Sequence, residues 1–546
     1  MVVAGVAVLA SVAVALGVTR QGIGISRDSA VYLGTARNLL DGKGATVPFR
    51  SYPLAPTSDP LATQSRLENF PPLYPALLAG VSEITDAELT TVARALNVVL
   101  LAALVLLLAG VTWAMSRGSL VATTLVAFVA LASMDVLITV AMAWTELLFT
   151  LLVVGALVLV AAHIEARQPV KLWAGAALLA LACLTRYAGV AAVVAAAASL
   201  VVFARRPRTE KLRDAAVLVA VGIAPLLAWI VARADSSERV GNRLLAFHPP
   251  GGGALERGGK TLVSWVLPGG PSGRLPDGAV GDFARAVAGL PFAVRAALAL
   301  AAVAALVHLG RRSTRRVPGA TSTLAALPRV LLVFVGCYLG FLVASMTFFD
   351  ASVSRLDYRL LVPAHVAALL VVATLVVRRR IAPRPWLPGA AVAATLGLLL
   401  IVGATALVID GNRRGGTFAG EQWRRSPIMS AVRSLPPDQV IVSNEPNAVW
   451  AVTGRSVASV PEEKSIVTLR VNRHFDAEMA ALARAMQERG AVLVQVRAGS
   501  DDAFATLEAT LAQKLPLRVV RREADGAIYQ LACRVGPSGR CEPATP

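Results

Sequence analysis

One carboxylate in this chain stands where it could exchange a proton with a substrate at a membrane surface. Asp28 follows directly on the first apolar segment, residues 2–19, and Tyr32 comes one helical turn later. A carboxylate partly removed from water is a better base, because desolvation disfavours its charged form. We therefore take Asp28 as a candidate general base and Tyr32 as a candidate binding residue. The alternatives are that the Asp-Ser pair caps a helix and that Tyr32 anchors it at the interface.

A second acidic residue, Glu146, begins an otherwise uncharged apolar segment. An acid within a membrane segment costs roughly 2.5–3.5 kcal/mol, so such residues tend to have a function. We take Glu146 as the second candidate catalytic residue, shaping the substrate pocket. The alternative is that it stabilises the amino end of its own helix. Asp135, which ends the preceding segment on the same side, is a further candidate.

Three cations near the ends of apolar segments have the chemistry to hold an anionic group. Arg186 lies in a very short connection, and Arg355 and Arg359 flank Asp357 in SRLDYRLLVP. A planar guanidinium matches phosphate oxygens with two parallel hydrogen bonds. We expect the three arginines, together with Asp357, to form a binding site for an anionic substrate. The alternative is an internal ion pair between Asp357 and one of the two flanking arginines.

Two polar residues in a later loop could join the same site. Arg243 and His248 lie in NRLLAFHPP, within a Gly- and Pro-rich stretch. A lone histidine is more often structural than catalytic, and no cluster of His and Asp has metal-ligand spacing. We therefore predict a substrate-binding role for both residues, and no metal or other cofactor.

The cysteines divide into two pairs. Cys183 and Cys337 lie inside apolar segments, where cysteine behaves as a small apolar side chain. Cys533 and Cys541 lie close together in CRVGPSGRC. In an oxidising compartment they would form a disulfide that closes this short loop, and otherwise they would stay as free thiols.

The composition places the chain in a membrane. Of its 546 residues, 56% are hydrophobic and 16% are charged, and the mean hydropathy is +0.63, which is too apolar for a soluble globular protein. The net charge of +19 comes from short basic clusters between apolar runs, at 205–213, 311–316 and 378–384. Nucleic-acid binding is excluded because an aromatic-interleaved basic platform is missing.

The apolar segments predict about eleven transmembrane helices. They lie near residues 2–19, 91–115, 119–137, 146–163, 170–185, 188–204, 215–233, 289–309, 326–348, 360–377 and 386–409. With a cytoplasmic N-terminus, all three basic clusters fall on the cytoplasmic side, as the positive-inside rule requires. Arg20 alone argues weakly for the opposite orientation, and a cleaved signal peptide is the alternative for the first segment. Two long loops, 20–90 and 234–288, and the tail then lie outside.

The tail changes character after residue 410. Strand-like runs QVIVSN, AVLVQV, LRVVRR and AIYQLAC alternate with helix-like stretches. We predict an all-α polytopic membrane core over residues 1–410 and a small extracytoplasmic α/β domain over residues 411–546. The chain is rich in Ala, Val and Arg and poor in Lys, which suggests a bacterium of high GC content and hence a bacterial cytoplasmic membrane.

Five motifs, in their order along the chain, resemble one family of membrane enzymes. They are Asp28 with Tyr32, then FPPLYPALLAG, WTELLFTLL, LTRYAG and DYRLLVPAHVAALL. This order resembles the GT-C superfamily of glycosyltransferases, in particular the branch of protein O-mannosyltransferases and lipid A aminoarabinose transferases. The likeness covers roughly residues 1–410.

The resemblance implies the transfer of a sugar from a polyprenyl-phosphate donor to a hydroxyl of a glycan, lipid or protein acceptor. In the family this occurs outside the cytoplasmic membrane, usually with inversion, and the acid of the first loop, here Asp28, is the base. Many members have a second acid directly after it, where this chain has Ser29. Some distant members use a divalent cation, of which this sequence gives no sign.

A transporter or flippase of lipid-linked saccharides is the alternative hypothesis. Such a protein needs polar residues or broken helices near the middle of the bilayer. In this sequence the unexpected charges lie at the outer ends of helices, which favours the enzyme. A non-catalytic scaffold on the same fold is a third reading.

Overall fold

The computed structural model describes residues 2–49, 59–67, 69–233, 247, 252–265, 286, 289–298, 324–349, 356–377, 397, 405, 416–464, 471–497, 508–511, 513–532, 534–535 and 541–542. The chain forms two compact units. The first, which we call the helical unit, contains Met1–Arg20, Glu68–Tyr74 and Ala93–Arg413. The second, which we call the mixed unit, contains Gln21–Leu67, Pro75–Val92 and Arg414–Pro546.

The described residues up to residue 377 are mostly helical. The helices are α1 (Val2–Val18), α2 (Arg27–Leu40), α3 (Leu73–Thr85), α4 (Leu89–Met115), α5 (Leu120–Ala132), α6 (Met134–Val140), α7 (Glu146–Ala166), α8 (Pro169–Thr185), α9 (Gly189–Phe203), α10 (Arg208–Arg233), α11 (Gly252–Ser264), α12 (Leu327–Phe348) and α13 (Tyr358–Val377). Helix α2 is followed by a short antiparallel pair, β1 (Thr46–Val47) and β2 (Ser65–Arg66).

Four of these helices, α4, α7, α10 and α12, are long and apolar enough to cross a membrane. Helices α5 and α6 make a fifth candidate if the pair, bent by 60° where Ser133 is extended, is one span. Helices occupy nine of the eleven predicted segments, whereas 289–309 and 386–409 lie largely outside the described residues. The number of eleven spans therefore stays a prediction.

The outer surface of the helical unit is apolar. Large side chains such as Leu9, Val99, Val121 and Val231 are more than half exposed. A soluble protein rarely presents so much apolar side chain on several helices, whereas a lipid environment favours it. The helical unit thus has the surface of a membrane protein.

Helix α7 lies at the centre of this unit, packed against α8, α9, α12 and α13. Small residues permit the closest of these approaches. A Cβ on Gly175 of α8 would lie 3.2 Å from Val160 Cγ2 of α7, and one on Gly222 of α10 would lie 3.2 Å from Val193 Cγ2 of α9. Close helix packing through small residues is the usual solution in membranes, where lipid removes the hydrophobic drive between helices.

The carboxyl end of α7 is joined to the start of α10 by a buried ionic network. Asp214 Oδ2 accepts a hydrogen bond from Arg206 Nη1 at 2.8 Å and lies 3.1 Å from His163 Nε2. Arg206 also donates to the His163 carbonyl, and His163 Nδ1 donates to the Gln168 carbonyl at 2.9 Å. Arg206 belongs to the basic cluster at 205–213, and its side chain is only 7% exposed because Asp214 compensates its charge.

The mixed unit is built on a five-stranded sheet in the order β4-β3-β5-β7-β6. The strands are β3 (Ile441–Ser443), β4 (Ala458–Ser459), β5 (Val492–Val496), β6 (Leu517–Glu523) and β7 (Gly526–Leu531). Strand β3 runs parallel to β4 and β5, and β7 runs antiparallel to β5 and β6. The four strand-like runs read from the sequence all lie in this sheet. A further short pair, β8 (Arg534–Val535) and β9 (Cys541–Glu542), follows.

Helices cover both faces of this sheet. They are α14 (Glu421–Arg424), α15 (Pro427–Arg433), α16 (Pro446–Thr453) and α17 (Phe475–Arg489). Met479, Leu482 and Met486 of α17 form one core with the sheet, and Ile428 and Val449 belong to the other. The centre of the sheet is therefore buried on both sides, which explains why β5 is entirely buried, whereas the edge strand β6 is mostly exposed.

The mixed unit includes more than the predicted tail. Residues 21–67 and 75–92, which the sequence analysis assigned to the membrane core, belong to the same compact unit as residues 414–546. Two bridges show the physical reason, because Ile25 pairs in parallel with Thr417, and Phe49 with Val457. These pairings join residues about 400 positions apart, which no local pattern reveals.

We expect the Arg206→Ala variant to lose about 3–5 kcal/mol of unfolding free energy, because it leaves the buried Asp214 carboxylate without its main cation. Reversible unfolding in mixed micelles, followed by tryptophan fluorescence, measures this loss. The control is Arg205→Ala, since Arg205 is adjacent and exposed. Equal unfolding curves for the two variants would contradict the structural role of the network.

Candidate functional site

Three separate elements of the helical unit bring one acid and two cations together. Glu146 is the first residue of α7, Arg186 follows the last residue of α8, and Arg359 is the second residue of α13. Glu146 Oε1 accepts a hydrogen bond from Arg186 Nη1 at 2.6 Å and another from Arg359 Nε. The unexpected charges that the sequence showed at helix ends thus form one cluster, which we call the Arg-Glu-Arg cluster.

The residues just before α7 complete this cluster. Arg186 Nη1 also donates to Thr145 Oγ1 at 2.9 Å, and the guanidinium of Arg359 lies 4.4 Å from the centre of the Trp144 ring. A guanidinium over an indole gains a cation–π attraction and is held flat. Both cations are therefore fixed in orientation as well as in position.

The burial of the three charges differs in a way that matters for binding. The Glu146 side chain is 1% exposed, whereas those of Arg186 and Arg359 are 17% and 19% exposed. Two positive charges and one negative charge leave a net charge of +1 on the cluster. The carboxylate thus holds the guanidiniums from inside, and their outer parts present positive charge to the surroundings.

Glu146 is enclosed by the two arginines. Its predicted role as a catalytic residue that shapes the substrate pocket stays a prediction. Asp357 Oδ1 accepts a hydrogen bond from Leu360 N at 3.3 Å, at the amino end of α13. The alternative of an ion pair with Arg355 or Arg359 stays a prediction, since Arg355 lies outside the described residues. Burial raises the pKa of the Asp357 carboxyl, against the opposing effects of that hydrogen bond and of Arg359.

A second polar group lies on the helical unit, around Asp135. Asp135 is in the first turn of α6, and its Oδ2 is 3.5 Å from His365 Nδ1 of α13. The His365 ring is stacked on Trp265, with centroids 4.8 Å apart. The sequence analysis named Asp135 but missed His365, Trp265, Trp144 and Thr145. The signal for His365 was its place as a titratable residue within an apolar run.

Asp28 lies on the mixed unit, in the first turn of α2. The hydroxyl that caps this helix belongs to Ser26, which accepts from Ser29 N at 3.3 Å, so Asp28 is not the cap. Asp28 is half-buried, and Tyr32, one turn later, is fully buried. Tyr32 is thus buried and not an exposed interfacial anchor, and its predicted binding role stays a prediction.

Arg27, the residue before Asp28, contacts the part of the mixed unit that contains the five-stranded sheet, Arg414–Pro546, which we call the sheet domain. Arg27 forms an ion pair with Glu445, and Asn447 Nδ2 donates to the Arg27 carbonyl at 3.2 Å. The Glu445 side chain is only 12% exposed. Arg455 holds loop carbonyls, donating to Leu435, Pro436 and Gln439, which is a structural role.

Several predicted residues fall outside the described part of the chain. Arg243, His248, Arg355 and Cys533 are among them, and of Cys541 only the backbone is described. Their predicted roles, including the disulfide, stay predictions. Among the described residues, no group of three or more His, Cys, Asp or Glu side chains has a geometry that could hold a metal ion.

We expect the Glu146→Gln variant to be destabilised by about 3–5 kcal/mol, because two partly buried guanidiniums would lose their shared counter-charge. Unfolding in mixed micelles measures the change. Glu165→Gln is the matched control, since Glu165 lies on the same helix and is exposed. A Glu146→Gln unfolding curve that coincides with the Glu165→Gln curve would contradict the proposed role of this carboxylate.

No family model and no curated protein matches the sequence. Solved structures do match the fold. ArnT from Cupriavidus metallidurans, bound to undecaprenyl phosphate, is 13% identical with a TM-score of 0.53, over 96% of this chain and 97% of that one. The arabinofuranosyltransferase AftD from Mycobacteria is 15% identical with a TM-score of 0.56, over 97% of this chain and 40% of AftD.

A third match is the archaeal oligosaccharyltransferase AglB from Archaeoglobus fulgidus, in complex with an inhibitory peptide and a dolichol-phosphate. It is 12% identical with a TM-score of 0.51, over 90% of this chain and 69% of AglB. At these identities the likeness establishes the fold. The fold expected from the resemblance of the five motifs is confirmed at that level, since the chain shares the fold of these three structures.

Proposed function

We propose that this protein is a membrane glycosyltransferase that moves a sugar from a polyprenyl-phosphate donor to a hydroxyl group of an acceptor. The observation that carries the proposal is the Arg-Glu-Arg cluster, which presents a net positive charge at the end of an apolar helix bundle. Its fold neighbours support the donor class, because one binds undecaprenyl phosphate and another dolichol-phosphate.

Charge balance explains why two arginines suit this reaction. The donor is a phosphodiester with one negative charge, and the product that leaves is a phosphomonoester with up to two. As the bond between the anomeric carbon and the phosphate oxygen breaks, its electron pair moves to the phosphate. Fixed cations therefore stabilise the transition state more than the bound donor, which is the condition for catalysis.

The acceptor side of the reaction needs a base. The acceptor oxygen forms the new bond to the anomeric carbon, and its proton passes to a carboxylate, for which we propose Asp28. The support is the family resemblance and the place of Asp28 on the first turn of α2, half-buried and adjacent to an arginine. Attack from the face opposite to the phosphate gives inversion. We propose a glycan, lipid or protein hydroxyl as acceptor and no metal requirement.

We propose a bacterial cytoplasmic membrane as the location, with the N-terminus in the cytoplasm and the mixed unit outside. The support is the positive-inside pattern together with the structure of α9. Arg186 precedes this helix and Arg205 follows it, so the Arg-Glu-Arg cluster and the basic residues of the 205–213 stretch lie at opposite ends of the bundle.

The central test is label transfer from a panel of undecaprenyl- and decaprenyl-phosphate sugars, with tritiated pentose or hexose, to acceptors in membranes that carry the protein. We expect transfer by the wild type and a roughly 100-fold or greater loss of kcat in Asp28→Asn, since a general base contributes about 10²–10⁴. Asp41→Asn, at the far end of the same helix, is the control. Equal rates for the two variants would remove Asp28 from the base role.

The same assay tests the cations. Arg359→Lys keeps the charge but loses the planar fork and the contact with Trp144, and we expect kcat/KM for the lipid donor to fall about tenfold or more. Arg329→Lys is the control, because Arg329 also lies over an aromatic ring, that of Phe203, but away from the cluster. An unchanged kcat/KM in Arg359→Lys would show that this arginine does not hold the phosphate.

The orientation is tested by cysteine labelling in a background without native cysteines. We expect Lys43→Cys, on the mixed unit, to react with an impermeant maleimide in intact cells. We expect Arg205→Cys, at the basic end of the helical unit, to react only after permeabilisation. The reverse pattern would place Asp28 in the cytoplasm and refute the proposed extracytoplasmic reaction.

A further inference from the structure

Helix α2, which carries Asp28, is held at both ends by the sheet domain of the mixed unit. Before the helix, Ile25 N donates to the Gly416 carbonyl at 3.3 Å and the Ile25 carbonyl accepts from Phe418 N at 2.8 Å. After the helix, Phe49 forms a bridge with Val457. The segment from 25 to 49 is thus joined by backbone pairing to residues near 417 and 457.

The body of α2 also lies close to this domain. A Cβ on Gly34 would be 2.6 Å from Pro48 Cδ and 3.5 Å from Trp450 Cζ2, so any larger residue would force the helix outward. The Phe49 ring lies 5.9 Å from the Trp450 ring. Glycine at position 34 therefore permits the close approach of α2 to Pro48, while Trp450 of α16 lies at an ordinary contact distance.

The amino end of α2 is fixed by side chains of one short segment. Glu445 pairs with Arg27, and Asn447 Nδ2 donates to the Arg27 carbonyl at 3.2 Å. One contact holds the side chain of Arg27 and the other holds its backbone. Asp28 is the next residue, so its position depends on both contacts.

Glu445 is itself rigidly supported. It follows the carboxyl end of β3, where its backbone N–H donates to the buried Ser443 hydroxyl at 3.1 Å. The neighbouring Asn444 side chain bonds to both the Val496 carbonyl, at 2.9 Å, and the Val496 N–H, at 2.8 Å. Glu445 stands at the amino end of α16, yet its carboxylate does not cap that helix and instead pairs with Arg27.

We propose that Glu445 is a positioning residue for Asp28. The sheet domain fixes Glu445, Glu445 and Asn447 fix Arg27, and Arg27 sets the place of the adjacent carboxylate. The inference rests on the proposed function, since it assigns the C-terminal domain a part in the same reaction.

The role of this pair differs from that of a stabilising ion pair. Arg27 is 54% exposed, and an ion pair with one exposed partner contributes little to stability. A misplacement of about 1 Å at a reacting group, by contrast, can cost on the order of 100-fold in rate. Loss of Glu445 should therefore lower kcat while folding and donor binding stay nearly unchanged.

The experiment combines label transfer with hydrogen exchange on the full chain in detergent micelles. For Glu445→Gln, which removes the charge but keeps the shape, we expect kcat to fall about tenfold and KM for the donor to change less than about twofold. Glu445→Asp should recover most of the loss. The double variant Arg27→Gln with Glu445→Gln should be no slower than either single variant, because the two residues act through one contact. Backbone amides of α2 should exchange faster in Glu445→Gln.

Glu523→Gln is the matched control, since it removes an ion pair of the same kind, with Arg521, on the edge strand β6 of the same unit. Wild-type kcat in Glu445→Gln, or an equal loss in Glu523→Gln, would overturn the proposal. Absence of transfer by the wild type with every donor would overturn the proposed function, whereas unchanged exchange of the α2 amides in Glu445→Gln would overturn the positioning role. The exchange data separate these failures, because faster exchange in α2 does not depend on catalysis.

Discussion

The helical unit depends on the cost of burying charge in an apolar bundle. Each buried ionisable residue among the described residues of α7 is compensated by partners from other segments of the helical unit. At one end Glu146 is enclosed by Arg186 and Arg359, and at the other His163 lies against Asp214 and Arg206. An unpaired charge at either place would cost several kcal/mol. The two networks therefore fix how α7, α8, α10 and α13 meet, and one of them also supplies the cations of the candidate site.

The mixed unit follows a different principle. A strand-rich core provides a stiff support, and a polar segment at the carboxyl end of β3 projects from it. That edge of a parallel sheet is where open α/β folds usually place functional groups, because the helix that follows begins there. In this chain, residues that follow the carboxyl end of β3 contact another part of the protein, helix α2 with Asp28. The candidate catalytic carboxylate is therefore supported by a sheet whose sequence lies more than 400 residues away.

Much of this could be read from the sequence, and the limits have physical causes. Apolar periodicity and length predicted the positions of nine helices, and alternation predicted four strands of the sheet. The proximity of Glu146 and Arg186 could also have been predicted from the sequence. Because a very short turn joins α7 and α8, the first residue of α7 must lie near the last residue of α8. The partner Arg359, 213 positions from Glu146, was not, because nothing local couples the two residues. The pairing of Glu445 with Arg27 was out of reach for the same reason, since the two residues lie 418 positions apart.

The pairing of Ile25 with Thr417 also constrains the order of folding. The ribosome synthesises residues 21–49 near the start of translation and their sheet partners near its end. Residues 21–49 therefore remain without these partners while every intervening helix is synthesised and inserted. Contacts of such long sequence separation form late because loop closure is entropically costly. The nascent chain would thus expose α2 without its support until translation ends. A truncated product that lacked Arg414–Pro546 would retain the segments of the helical unit and leave α2 without its sheet partners.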